Sequence, residues 1–161
     1  MGSVINSCTQ NIKVEEGYWI GGLAGLHQKG IIKNCSANGT ITSNRAIDSN
    51  MGGLGGLVSR CEANVLNCFA STKINCKPTE AHYDDYILVG GLIAELTYSD
   101  VNYKGVVRIE QCYAVSDIEL EYDFNGDFHA DVGGLVGISV KEANIQNCYT
   151  SINITSSVGT L

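Results

Sequence analysis

Residues 132–154 read VGGLVGISVKEANIQNCYTSINI, and this stretch decides the fold. A glycine pair opens it, an apolar run and a linker follow, and Ile145-Gln146-Asn147-Cys148-Tyr149 leads into an alternating tail. The same module recurs upstream. Copy one runs from Ile20-Gly21-Gly22-Leu23-Ala24-Gly25 through Ile32-Lys33-Asn34-Cys35 to Ile41. Copy two opens with Met51-Gly52-Gly53-Leu54 and reaches Val65-Leu66-Asn67-Cys68. Copy three opens with Val89-Gly90-Gly91-Leu92 and reaches Ile109-Glu110-Gln111-Cys112. A half copy, Ile5-Asn6-Ser7-Cys8, begins the series.

Successive motif cysteines lie 27, 33, 44 and 36 residues apart. A constant motif at a variable period means fixed rungs with inserted loops. The insertions fall at 97–107, before a cysteine, and at 45–50, 77–88 and 121–131, before a glycine pair. After each cysteine the pattern has period two, the signature of a strand with one buried face. Copy two puts Cys68, Ala70, Thr72, Ile74 and Cys76 on one face, and copy three puts Cys112, Ala114, Ser116, Ile118 and Leu120 there. The apolar residue three before each cysteine has the wrong parity for the same flat strand, so a bend separates the two. The Gly-Gly segment also alternates, with Val132, Gly134, Val136, Ile138 and Val140 sharing a face. Each coil is therefore expected to hold two or three short strands.

One such coil cannot bury its apolar face alone. Stacked at about 4.8 Å per rung, equivalent positions form columns and one continuous core. The expected fold is all-β: a parallel β-solenoid (β-helix) of about four rungs plus a half rung, with corner-loop insertions. An antiparallel β-sandwich is the rival, but it does not require the same residue at the same place in every strand pair.

The GGLVG of 133–137, its variants GGLAG and GGLIA, and the Asn147-Cys148-Tyr149 tail resemble the GLUG-type repeat of bacterial surface proteins. The resemblance runs from Ile5 to about Thr155. It implies that 1–161 is a single repeat domain within a larger secreted or wall-anchored protein, of the kind that includes adhesins and the non-catalytic regions of immunoglobulin A peptidases. The implied role is a non-catalytic stalk or adhesion module, extracellular or at the cell surface, meeting a host or cell-surface protein or a glycan. Copy three departs from the pattern with Ile-Ala for Val-Gly, and its rung is expected to bulge. The alternative function is a carbohydrate-active β-helix enzyme, a polysaccharide lyase or hydrolase.

Composition narrows the partners. The 161 residues carry a net charge of −7, which disfavours nucleic acid, whose binding needs clustered Lys and Arg. No apolar run approaches the roughly 20 residues of a membrane helix. The strand edges near Ile5 to Val14 and Ile152 to Ile154 invite end-to-end self-association.

Catalytic signatures are missing. There is no HExxH, no GxSxG and no phosphate loop. Carboxylates near one another, Asp84 and Asp85 beside His82, or Asp117 with Glu119 and Glu121, are the acid–base candidates for the enzyme reading. The seven cysteines lack paired zinc spacing, so the motif cysteines read as small core residues in a column. Cys61, read as lying in an insertion beside Arg60, is the candidate reactive thiol.

Two surface features remain. Phe69, Tyr113 and Tyr149 each follow a motif cysteine and form an outward aromatic ladder, a candidate binding strip. The segment Asp123 to Asp131 alternates Asp123, Asn125, Asp127, His129 and Asp131. Asp123, Asn125 and Asp127 fall at the spacing of a calcium loop and Asp131 is a further oxygen ligand, so calcium is the one cofactor expected to compete with a plain solvated edge.

Overall fold

The computed structural model describes residues 3–6, 9–15, 17–44, 53–78, 86–98, 105–122, 129–140 and 142–158. Every element among them is a strand. The half coil supplies β1 (Ser3–Asn6) and β2 (Thr9–Glu15). Four strands follow in each full coil. The first holds β3 (Ile20–Gly21), β4 (Ala24–His27), β5 (Gly30–Lys33) and β6 (Ser36–Ser43). The second holds β7 (Leu54–Gly55), β8 (Val58–Cys61), β9 (Asn64–Leu66) and β10 (Phe69–Cys76). The third holds β11 (Tyr86–Gly90), β12 (Ile93–Leu96), β13 (Val107–Glu110) and β14 (Tyr113–Tyr122). The fourth holds β15 (His129–Gly133), β16 (Val136–Ser139), β17 (Ala143–Gln146) and β18 (Tyr149–Val158).

Strands sort by their place in the coil. Sheet A stacks β1, β5, β9, β13 and β17, and sheet B stacks β2, β6, β10, β14 and β18. Sheet C stacks β3, β7, β11 and β15, and sheet D stacks β4, β8, β12 and β16. The pairings are parallel, coil on coil, and hold the sequence register. Ile41, Ile74, Ile118 and Ile154 form one column in sheet B, and Ile5, Ile32, Val65, Ile109 and Ile145 form one in sheet A. This is the expected parallel β-solenoid of four rungs and a half.

The bend before each described motif cysteine, Cys35, Cys68, Cys112 and Cys148, is a single residue with left-handed backbone. Asn34, Asn67, Gln111 and Asn147 have φ of 55, 50, 54 and 53°. Asparagine tolerates that region better than most side chains, because its short amide bonds locally. One left-handed residue reverses parity, so Ile32 and Cys35 both face inward although they are three apart.

The glycine pair is a second corner, between sheets C and D. A Cβ on the first glycine (Gly21, Gly55, Gly90 or Gly133) would overlap the carbonyl oxygen three residues on. The second glycine presses on sheet B: a Cβ on Gly22 would lie 2.6 Å from the Cβ of Ala37, and one on Gly56 3.0 Å from that of Ala70. This contact pinches the interior into two clusters. One gathers Ile32, Cys68, Leu57, Ile93 and Ile109 between sheets A, D and the start of B. The other gathers Ile20, Leu54, Val89, Ile74 and Ile118 between sheet C and the rest of B.

Several expectations need correction. Each coil holds four strands, because the Gly-Gly segment is not one strand but two joined at the corner. Val132 therefore packs in the second cluster and Val136 in the first, while Val140 is 53% exposed. In copy two the corner pair is Gly55-Gly56, since Leu54-Gly55 aligns with Ile20-Gly21 and Val89-Gly90. The tandem Gly-Gly-Leu of 52–57 offers two registers, and only the second places Leu57 in the core. Copy three does not bulge at β12: Ile93 pairs Val58 and Val136, and Glu95 pairs Arg60 and Ile138.

Candidate functional site

The residues that recur in every coil stack into columns, and the motif cysteines form the most ordered one. Cys35, Cys68 and Cys112 are buried, Cys148 is half-buried, and none of them is in a disulfide. Each Sγ lies against the carbonyl two residues back in its own coil: Lys33, Leu66, Glu110 and Gln146, at 3.1, 3.1, 3.2 and 3.2 Å. A second carbonyl comes from the preceding coil: Ile5, Ile32, Val65 and Ile109, at 3.8, 3.8, 3.5 and 3.4 Å. The sulfur also accepts. The Cys68 amide N–H donates to Cys112 Sγ and the Cys112 amide to Cys148 Sγ, each at 3.4 Å. The carbonyls of Leu66, Glu110 and Gln146 also accept the N–H of Asn34, Asn67 and Gln111 from the preceding coil, so the thiol is an added donor there, while the sulfurs of Cys112 and Cys148 give the preceding coil's cysteine amide an acceptor. The Cys112 thiol is pushed up by its Cys68 neighbour and by burial.

Cys61 is not an exposed reactive thiol. It sits in β8, fully buried beneath sheet D, with Sγ 3.1 Å from the Ala63 carbonyl. Its assignment to an insertion followed from the slipped glycine register. Cys76 is equally buried, and burial pushes its thiol up to about 12.

Outside, sheet B carries the aromatic ladder. Phe69 and Tyr113 stack with ring centroids 4.2 Å apart, and Tyr113 and Tyr149 with centroids 4.9 Å apart and planes within 5°. The three expected strip residues are thus brought together. Their faces, however, are turned to one another. A partner meets ring edges and the tyrosine hydroxyls along the strip, and Tyr149 at its end is 59% exposed. The rows beside the ladder enclose a shallow groove of about 350 Å³, lined among others by Ser71, Lys73, Val115, Asp117, Ser151 and Asn153.

The acid–base candidates on this sheet do not converge. Asp117, Glu119 and Glu121 alternate outward along β14, with Glu119 paired to Lys73 at 2.9 Å and Glu121 paired to Lys77. His82, Asp84 and Asp85 lie outside the described residues, as do three of the residues expected as calcium ligands, Asp123, Asn125 and Asp127. His129 and Asp131 are exposed on β15, where Asp131 pairs in register with Leu88. Among the described residues no three His, Cys, Asp or Glu side chains are grouped to hold a metal ion.

Sequence reasoning missed two polar assemblies. In the first, Asn67 Nδ2 donates to Asn34 Oδ1 at 2.6 Å and Asn34 Nδ2 to Asn6 Oδ1 at 2.8 Å, an amide column along the exposed corner. The recurring asparagine before cysteine was its signal. In the second, the Arg60 guanidinium lies 5.6 Å from the Trp19 ring, with Glu62 at 3.6 Å and Glu95 at 3.8 Å. Arg60 and Glu95 are register partners on β8 and β12 and Glu62 follows Arg60 by two, but that column reads Leu26, Arg60, Glu95 and Ile138, so no recurring residue type announced the group. Nearby, burial holds His27 below the usual imidazole range.

The fold and its columns define a repeat protein of the parallel β-solenoid class. Residues 17–42, which span most of the first full coil, match the family model of the GLUG motif, and this supports assigning the chain to the GLUG-motif family. No curated protein and no solved structure matches it.

Proposed function

We propose that this chain is a non-catalytic module of a bacterial cell-surface or secreted protein, serving as a stalk or adhesion element. The observation that carries the reading is the unbroken register from β2 to β18, in which every coil repeats the same columns. Such a stack is a spacer whose length grows by about 4.8 Å per coil. The surface it offers to a protein or glycan is the outer face of sheet B, where the aromatic ladder borders the groove. Glu119 and Glu121 are held by lysines along a flat face rather than aimed at one point, which favours a surface over a catalytic cleft. Calcium at Asp123, Asn125, Asp127 and Asp131 would tie down a corner loop and take no part in chemistry.

The test is antibody labelling of intact, unpermeabilised cells that make the parent protein. Surface labelling is expected, and signal only after permeabilisation contradicts the reading. Release of new reducing or unsaturated ends from a panel of polysaccharides by the purified chain would replace it with the enzymatic one.

A further inference from the structure

Sheet B carries its outward side chains in rows that run along the stack. Beside the ladder of Phe69, Tyr113 and Tyr149 comes the row Ser71, Val115 and Ser151, and then the row Lys73, Asp117 and Asn153. The middle row holds the shortest side chains. It is the floor of the groove of about 350 Å³, and the longer side chains of the flanking rows rise on either side. Alternate residues of a strand lie about 6.7 Å apart, so the trough spans about 13 Å between the flanking rows. Its long axis crosses the strands and follows the stack.

Charge narrows what can lie there. The lysines of this face are each engaged by a glutamate: Lys13 by Glu15, Lys73 by Glu119 and Lys77 by Glu121. Among the described charged groups of the face, Asp117 alone has no ion-pair partner. An anionic ligand would therefore meet an unpaired carboxylate and no free cation. A neutral ligand rich in hydroxyls meets the Asp117 carboxylate, the Asn153 amide and the hydroxyls of Ser71 and Ser151. Val115, 43% exposed, is the apolar member of the floor.

We infer that the groove takes a linear, uncharged β-1,4-linked polysaccharide laid along the stack, one sugar per coil. This rests on the reading of sheet B as the binding face of the module. A pyranose ring has apolar C–H faces and a polar rim. One face rests on Val115, while the rim hydroxyls donate to Asp117 and exchange hydrogen bonds with Asn153. Coils repeat every ~4.8 Å, close to the length of one sugar in an extended chain, so successive sugars meet successive coils. The aromatic rings turn their faces to one another, so they wall the chain in rather than stack on it. Selection falls instead to the row across the floor, where a ligand lacking hydroxyls would leave Asp117 and Asn153 unmatched.

Amide-resolved nuclear magnetic resonance titration with cellotriose, mannotriose and triacetylchitotriose tests this, with trigalacturonate as the anionic comparison. At least one neutral trisaccharide should shift the amides of 71–73, 115–117 and 151–153. It should bind more tightly than its disaccharide, because the third sugar reaches a third coil. Asp117→Ala should weaken binding roughly tenfold, and Val115→Tyr, which fills the floor, should abolish it. Thr40→Ala, on the same face outside the groove, should leave it unchanged, and circular dichroism checks that each variant keeps its strand content. No shift with any neutral trisaccharide, shifts away from the groove, tighter binding of trigalacturonate, or indifference to both groove variants would overturn the inference. Such a result alongside surface labelling of intact cells would leave the module reading standing, with a protein as the partner of this face. Failed labelling would remove the module reading itself.

Discussion

The amide N–H of Cys68 donates to the sulfur of Cys112, one coil further along the stack. A motif cysteine is thus more than a small core residue: it joins its own corner to the corners on either side. Cys112→Ala would leave the buried Cys68 amide and the nearby carbonyls without that partner, besides a small void. A loss of about 2 kcal/mol is expected, from the cost of an unsatisfied buried group plus the cavity. Cys148→Ala should cost less, since Cys148 is half-buried. Thermal melts of the two variants check the order.

The buried thiols make stability depend on alkaline pH. Cys76 has its ordinary value of 9.0 raised to about 12 by burial, so the folded state keeps the proton where the unfolded state releases it. Its contribution to stability is complete below about 9 and is lost as pH rises through the folded value. Melting temperature should fall between pH 9 and 12, and Cys76→Ser should flatten that part of the profile. Thiol labelling at neutral pH should reach Cys148 before Cys61 or Cys76.

The glycine corner tolerates no side chain. A Cβ at Gly90 would collide with the Ile93 carbonyl oxygen, and both residues are held by adjacent coils: the Gly90 carbonyl accepts from the Gly56 N–H and the Ile93 N–H donates to the Leu135 carbonyl. Gly90→Ala should cost about 3 kcal/mol, the upper range for overpacking. Urea unfolding followed by circular dichroism measures it. Gly105→Ala, in the connection before β13, serves as a reference.

At the other corner, Asn67 has φ of 50° and donates its amide to Asn34. A β-branched side chain is disfavoured in that region, so Asn67→Val should cost about 2 kcal/mol, while Asn67→Gly should be far milder. The same melts distinguish them.

The columns of sheets A and B were legible because period two and the recurring cysteine act together: parity chooses the buried face and the cysteine sets the register. The bend before the cysteine was legible as a parity conflict between Ile109 and Cys112, although its means, one left-handed Asn or Gln, was not read. The glycine corner was misread for a physical reason. A sharp reversal leaves the same inward residues as an alternating strand, so Val132, Gly134 and Val136 looked like one face. The tandem Gly-Gly-Leu of 52–57 then hid Cys61 in a false insertion. The aromatic ladder was foreseen as a column, but ring orientation, which turns the faces of Phe69 and Tyr113 to each other, depends on packing that spacing does not encode. The Arg60, Trp19, Glu62 and Glu95 assembly rests on the register of β8 and β12, which sets Glu95 beside Arg60, and the equivalent positions in the other coils are Leu26 and Ile138, so no repeated pattern reports it.

Parallel in-register stacking is tested most directly by nuclear Overhauser effects between isoleucine δ1 methyls in a selectively labelled chain. Ile41, Ile74, Ile118 and Ile154 occupy successive coils of sheet B. Stacking predicts sequential contacts from Ile41 to Ile74, Ile74 to Ile118 and Ile118 to Ile154, with none between Ile41 and Ile154. Absence of those sequential contacts, or a direct contact between Ile41 and Ile154 in the monomer, would contradict the solenoid.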